Sequence, residues 1–405
     1  MTDKQKIEKE KPLKGLKVLE MGTLLAGPFA ARILSEFGAE VIKIETPGTG
    51  DPLRDWRLLQ DGTSLWWYVQ SRNKKSITLN LKEKEGQEIV RQLVEKVDIV
   101  IENFRPGTLE KWNIGYEQLI EINPKIIMVS VSGYGQDGPY RDKPGFGSIG
   151  EALGGVRYVT GYPDSAPVRV GISLGDTVAG MYGAIGALMA VYYRDIKGLH
   201  IGQRIDVALY EAIFSLMEST LPEYDRFGVV RERTGTTLPG VAPSNTYKCA
   251  DGKYIVIGGN SDSIFKRFMN MIGRPDMSED ERFKTNSGRA KYADYIDQVI
   301  EEWTSKVSFE EALEMLDKAK VPAGAIYSIK EIVNDPHYNY RGMIQEFDGP
   351  GGKLKIPGVV PKMSETPGGT DWLGPKLGEH NEEILCGLLG ISPESIEDLK
   401  KKGLV

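Results

Sequence analysis

The chain has 405 residues, 51 of them Lys or Arg against 57 Asp or Glu, and a formal net charge of -6. That length exceeds what a single core fills, so about two domains are expected, and the slightly acidic balance excludes a global basic field for nucleic acid or anionic lipid. Any anionic ligand must be held locally. Cys249 and Cys386 stand far apart, and His200, His337 and His380 are equally scattered, which speaks against a disulfide framework, a zinc site or a Cys–His nucleophile. No metal is expected, and carboxylates, lysines, tyrosines and the backbone are left to do any chemistry. The opening MTDKQKIEKEKP is dominated by charge and fits neither a signal nor a transit peptide. Thr177–Tyr193 is apolar but short for a membrane span, and its Gly and Ala content suits close packing in a core. A cytoplasmic protein with neither nucleic-acid nor membrane partners is the expectation.

In chain order, Leu16–Met21 is a short β-like run, and Thr23–Pro28 turns the chain into a helix beginning near Pro28, where a missing N–H is harmless. That helix ends at Gly38, and Val41–Ile44 is the next strand. A second unit follows: helix Glu85–Lys96, strand Asp98–Glu102, helix Tyr116–Ile122 and strand Ile126–Val131. Such alternation predicts a parallel sheet with helices on both faces, a Rossmann-like α/β organisation. The first turn reads GTLLAGP instead of GxGxxG, so the usual dinucleotide pyrophosphate site is not supported, although an adenine nucleotide can still sit at the carboxyl ends of the strands.

Val168–Gly175 reads as a strand entering a tight turn, and Thr177–Tyr193 as a buried helix. Asp176 stands at their junction. A carboxylate there can cap the helix or do chemistry; the local pattern favours the cap and leaves both open. Gln203–Ala208 is another strand and Leu209–Ser219 another helix. The pattern then changes: a hairpin around Asp251-Gly252 and helices near Asp262–Ile272, Tyr292–Thr304 and Phe309–Lys318 predict a smaller α+β domain. The expected organisation is a large Rossmann-like domain over 13–222, a small α+β domain over 223–325, and a segment returning to the large domain over 326–405.

LKGLKVLE from Leu13, AGPFAARILSEFGAEVIKIE from Ala26 and Gly50-Asp51 resemble the amino-terminal module of the class III CoA-transferases, the formyl-CoA and carnitine CoA-transferase family. RNKKSITLNLK (Arg72–Lys82), IENFRPG (Ile101–Gly107), SGYGQDGP (Ser132–Pro139), GQRIDVALYEA (Gly202–Ala212) and LGEHNEEIL (Leu377–Leu385) extend the resemblance, in the family's order, over nearly the whole chain. By it, Asp176 falls on the family's catalytic aspartate, a carboxylate that forms an aspartyl-CoA thioester in a covalent double displacement. Cap and nucleophile are compatible, since a helix start favours an ionised carboxylate. The resemblance sets Leu25, Ala26, Leu79, Asn80, Leu81, Lys82, Asn103, Phe104, Arg105 and Lys111 against CoA, and implies an interlocked homodimer. CoA and acyl-CoA are expected as substrates, together with a small organic acid, and no tightly bound cofactor.

Backbone N–H groups near Gly154-Gly155 or Leu25-Ala26 can serve as oxyanion donors, the alternative for the glycines being a turn. Arg72, Lys74 and Lys75 can steer phosphates or form a charged loop. His380 suits a helix start, His337 a turn and His200 an exposed loop.

The chain departs from the family's pattern in three places. Gly147 stands where many transferases carry Asp or Glu, Leu25 replaces a glutamine of formyl-CoA-type members, and their glycine-rich covering loop is not recognisable. Oxalate and formate are therefore disfavoured. Arg157 and Arg169 flank Asp176 in sequence and can bind a second carboxylate or be ordinary surface cations. A succinyl-CoA-type donor with a small dicarboxylic or hydroxy-acid acceptor is expected. The competing readings are an α-methylacyl-CoA racemase, which needs a histidine in a Gly-His-Asp motif where this chain has Pro144–Gly147, and a non-catalytic CoA-binding protein.

Overall fold

A computed structural model describes residues 10–405. The chain forms two compact units, one running to Val156 and including Val170–Gly228 and Asn339–Val405, the other made of Arg157–Arg169 and Val229–Tyr338. The divides thus fall after Gly228 and Tyr338, against the expected 222 and 325.

The first unit is built on a six-stranded parallel sheet of β1 (Lys17–Glu20), β2 (Glu40–Glu45), β3 (Lys74–Thr78), β4 (Ile99–Glu102), β5 (Ile127–Ser132) and β6 (Arg204–Ala208). Its order is β3-β2-β1-β4-β5-β6, a doubly wound arrangement with a topological switch between β1 and β4, where ligands of such sheets bind. Alternation along the strands feeds two cores. Leu19, Ile42, Val100 and Met128 face α2 (Lys84–Val94) and α3 (Tyr116–Ile122). Val18, Val41, Ile101 and Val129 face α1 (Ala26–Glu36) and α5 (Leu174–Val191). Between them in sequence lies the short helix α4 (Gly147–Leu153), and after β6 comes α6 (Leu209–Phe214).

β3 was not anticipated, because two lysines and polar residues hide its β-branched Ile77-Thr78. It is an edge strand, a position that needs cover. The LGEHNEEIL segment provides it: the His380 N–H donates to Ser76 O (2.9 Å), the Thr78 N–H donates to Asn381 Oδ1 (2.8 Å), and His380 Nδ1 accepts from the Ser76 N–H (3.2 Å). Val168–Gly175, expected as a strand entering a tight turn, joins no ladder: Val168–Ser173 is irregular, and Leu174 and the buried Gly175 already belong to α5. The run Leu174–Ile196 is long and apolar enough to cross a membrane by length and composition. Its stripe of Gly175, Ala179, Gly180, Gly183, Ala184, Ala187 and Ala190 is nevertheless buried in the core of the unit.

The second unit has a three-stranded antiparallel sheet of β7 (Ser244–Lys248), β8 (Tyr254–Gly258) and β9 (Ala323–Ala325), in the order β9-β8-β7. Helices Asp262–Met271, Ala293–Thr304 and Phe309–Lys318 pack on it through Phe265, Phe268, Ile296, Ile300 and Leu316. Arg157, Arg169 and His337 belong to this unit.

Candidate active site

The loop from β1 to α1 is held from three sides. Asn103, just past β4, accepts from the Thr23 N–H (2.8 Å) and donates to Thr23 O (2.9 Å). Its carboxamide oxygen leaves no room for a side chain at Gly22, where a Cβ would lie 2.7 Å from it. Leu24 is forced into left-handed backbone, φ 63°, and its N–H reaches both oxygens of Asp51 (3.1 and 3.2 Å). Gln70 donates to Leu25 O (3.2 Å).

Beneath this loop lies a buried ion cluster. Lys43 Nζ sits 2.7 Å from Glu20 Oε1, 2.8 Å from Asp51 Oδ2 and 2.8 Å from Gly22 O. Lys74 Nζ donates to Pro28 O (2.8 Å) and lies 2.6 Å from Glu20 Oε2, an ion pair set off the line of a hydrogen bond. Burial works against the charge of both lysines. For Lys43 the carboxylates of Asp51, Glu20 and Glu45 outweigh it and raise the pKa above the ordinary lysine value. Lys74 shares Glu20 with Lys43, and burial pulls it down to about 8. Asp51 is held below its ordinary value despite burial, by Lys43 and the backbone N–H groups of Leu53 and Leu24. Arg72 is likewise buried, against Glu36 and Pro357 O. Arg72 and Lys74 therefore brace the sheet, and neither faces solvent to steer a phosphate; Lys75 pairs with Glu40 and Glu383.

α1 and α5 run parallel, because Gly180 meets Ala26 and Phe29 while Gly183, a turn later, meets Ala30. A Cβ on Gly180 would lie 2.7 Å from Ala26 O, so the close approach requires glycine. Asp176, one turn before Gly180, is thereby brought to the level where α1 begins with amides that no helical carbonyl can pair. Asp176 is the third residue of α5 and half-buried. It is not the N-cap: that position belongs to Ser173, whose side chain makes no capping bond. The Asp176 carboxylate lies over the Cα of Gly147, where a Cβ would come within 2.2 Å of Oδ2.

The other expected residues line the carboxyl ends of β3 and β4. Leu79 and Leu81 are buried in the core. The Asn80 N–H donates to Leu404 O (2.9 Å), and its side chain accepts from the Lys82 N–H (3.1 Å). Asn103 has its amide engaged by Thr23, so it shapes the loop. Phe104 stands edge-on to Trp112, ring centroids 5.4 Å apart. Lys82, Arg105 and Lys111 are exposed, and none is ion-paired with a described residue. Glu102, buried behind Phe104, accepts from the Phe104 N–H (2.8 Å), and burial pushes its carboxyl up to about 7. Gly154 and Gly155 donate their N–H groups to Gly150 O and Ala152 O. These bonds close the end of α4.

Sequence reasoning overlooked Glu20, Lys43 and Asp51 as the support of the β1 loop, and Glu151 on α4. A signal was present: Glu20 and Lys43 interrupt otherwise apolar strands, and charge inside such strands calls for a buried partner.

A doubly wound sheet binds its ligands outside the carboxyl ends of its strands, and helix starts gathered there favour anionic groups. Residues 13–381 match CoA-transferase family III, and the chain belongs to that family. It is 50% identical over 397 residues to the succinyl-CoA–D-citramalate CoA-transferase of Chloroflexus aurantiacus, covering 98% of each chain. It is 41% identical to the β subunit of succinyl-CoA–L-malate CoA-transferase of the same organism, over 97% of this chain and 98% of that one. A CAIB/BAIF family protein from Brucella suis superposes with a TM-score of 0.80 at 34% identity, over 94% of this chain and 100% of that chain. The chain is thus an enzyme of the CoA-transferase type, with CoA thioesters as substrates.

Proposed function

We propose that Asp176 is the nucleophile of a transferase that moves CoA from succinyl-CoA to a small dicarboxylic or hydroxy acid. The observation that carries this reading is the Asp176 carboxylate in the first turn of α5, lying on Gly147 beside the start of α1. The named activities of the relatives support a succinyl donor and a hydroxydicarboxylic acceptor.

The Asp176 carboxylate attacks the thioester carbonyl of the donor and expels CoA thiolate, leaving a mixed anhydride. The thiolate attacks the aspartyl carbonyl and releases the donor acid as its carboxylate. The acceptor carboxylate then attacks the aspartyl-CoA thioester, again expelling thiolate, which takes the acyl group from the second anhydride and restores Asp176. No proton changes hands. Each attack develops an oxyanion, and the unpaired first-turn amides of α1 are suited to receive it, at roughly 3–4 kcal/mol per well-placed donor. Lys82, Arg105 and Lys111 supply charge for the CoA phosphates, and Leu25, Ala26 and the backbone of Leu79–Leu81 line the path.

The racemase reading needs an imidazole opposite the aspartate. His380 is engaged at the β3 edge, and His200 lies beyond the far end of α5, where its N–H donates to Arg194 O. An interlocked homodimer belongs to the same proposal. Tyr182, Ile185, Met189, Tyr193 and Ile196 form an exposed apolar stripe, Met189 at 67% and Ile196 at 69% exposure, suited to a second copy. Linked chains would not exchange subunits with a tagged copy until unfolded, whereas exchange under native conditions would refute the linkage.

In an exchange assay with succinyl-CoA and a panel of acids, Asp176→Ala should lose turnover by at least about 10³-fold, with CoA affinity retained. Residual turnover near the parent's would overturn Asp176 as nucleophile.

A further inference from the structure

The first turn of α5 has an unusual support. Its N-cap, Ser173, makes no side-chain capping bond, so the amides that open the helix need acceptors from elsewhere. One comes from the neighbouring helix. Glu151 on α4 is completely buried, and its Oε1 accepts from the Gly175 N–H at 3.2 Å. Gly175 immediately precedes Asp176. The two helices meet without a gap: a Cβ on Gly175 would lie 2.8 Å from Gly147 O and 3.3 Å from Glu151 Cγ. α4 is itself fixed on its other side, where a Cβ on Gly150 would come 2.7 Å from Leu209 Cβ and one on Gly154 2.6 Å from Ile213 Cγ2, both on α6.

Gly147 and Glu151 are one helical turn apart on α4, so they occupy the same face. Gly147 makes the space that the Asp176 carboxylate fills, and Glu151 holds the backbone from which that carboxylate projects. Removing the space would push the carboxylate away. Removing the acceptor would leave a buried N–H unpaired at the residue before it, and the first turn could re-form with other amides paired.

We infer that Glu151 is a positioning residue for Asp176: a capping group delivered from α4 that fixes the first turn of α5 and so aims the carboxylate at the thioester. It touches the Asp176 backbone neighbour and not the reacting atoms. The inference rests on the reading of Asp176 as nucleophile. An error near 1 Å in the placement of a reacting group costs on the order of 10²-fold in rate, so the effect belongs in the covalent step and spares the distant contacts that bind CoA.

The test compares Glu151→Gln, Glu151→Leu and the parent in three measurements: CoA affinity by calorimetry, single-turnover formation of the protein–CoA adduct, and steady-state kcat and KM for succinyl-CoA. Gln offers an oxygen at the same reach and should form the adduct within about threefold of the parent. Leu fills the space without an acceptor and should slow adduct formation and kcat by about 10- to 100-fold, with KM and CoA affinity within about twofold. A Leu variant that forms the adduct at the parent's rate overturns the inference, as does a Gln variant as slow as Leu, or a Leu variant whose CoA affinity falls along with its rate. Should Leu fail to fold, Glu151→Asp takes its place, since it withdraws the oxygens by one methylene: slow adduct formation supports the inference, and the parent's rate overturns it. If the parent itself forms no adduct, the reading of Asp176 fails and not merely the role of Glu151.

Discussion

Two sets of charges stand at the same end of the same sheet and differ in every physical respect. Glu20, Lys43, Lys74 and Asp51 are buried and share contacts under 3 Å with one another, while Lys82, Arg105 and Lys111 are exposed and pair with no described residue. Charges taken out of water persist only when geometry is good and every site is used. Exposed cations keep their hydration and are available to a ligand. The first set therefore shapes the loop that opens α1, and the second set stays open to solvent. Spacing in the sequence does not separate the two; depth does.

The largest break in this contrast should come from Asp51→Ala. It removes one of the partners of Lys43 and leaves the Leu24 and Leu53 N–H groups without their acceptor, a loss on the order of 3–5 kcal/mol in denaturant unfolding. A change under about 1 kcal/mol would show that the cluster is not under load. Glu102 sharpens the contrast through pH. Its carboxyl is raised from 4.5 to about 7, so the folded state binds the proton more tightly than the unfolded state. That stabilisation is complete below about 4.5 and is lost as pH rises through about 7. Glu102→Gln, neutral at every pH, should match the parent at pH ~4 and exceed it by up to about 3 kcal/mol at pH ~8.5; equal melting temperatures at both pH values would contradict the burial argument. The smallest effects belong to the exposed set. Alanine at Lys82, Arg105 or Lys111 should weaken CoA binding by about three- to tenfold each, near 1 kcal/mol, with stability changed by less than about 0.5 kcal/mol. The loss should shrink at high salt. A variant that loses stability and keeps CoA affinity would move that residue into the buried class.

Strands β1, β2, β4 and β5 were legible because their apolar runs face a core on both sides, and β6 and the β7–β8 hairpin about Asp251-Gly252 were legible as well. β3 escaped notice because Lys74 lies within it, and a lysine inside a strand reads as loop until Glu20 is known to receive it. Val168–Gly175 erred in the opposite direction: its alternating valines look like strand, yet a strand exists only where another offers its hydrogen bonds. Asp176 stood out through the motif around it, but its helical position was misjudged by three residues, since both Ser173 and Asp176 are good helix-start residues and only backbone geometry separates cap from first turn. Gly147 was visible as a departure. Its meaning, room for the Asp176 carboxylate, depends on two helices more than twenty residues apart in sequence, a proximity that single-sequence patterns do not encode.

The most direct test of the central claim is to mix the protein with succinyl-CoA in the absence of acceptor, quench, digest and weigh the peptide carrying Asp176. A CoA-sized adduct on that peptide, discharged by adding an acceptor acid and absent from Asp176→Ala, is the predicted result. An adduct on another residue, or turnover with no adduct at any point of a rapid-quench series, would contradict the account.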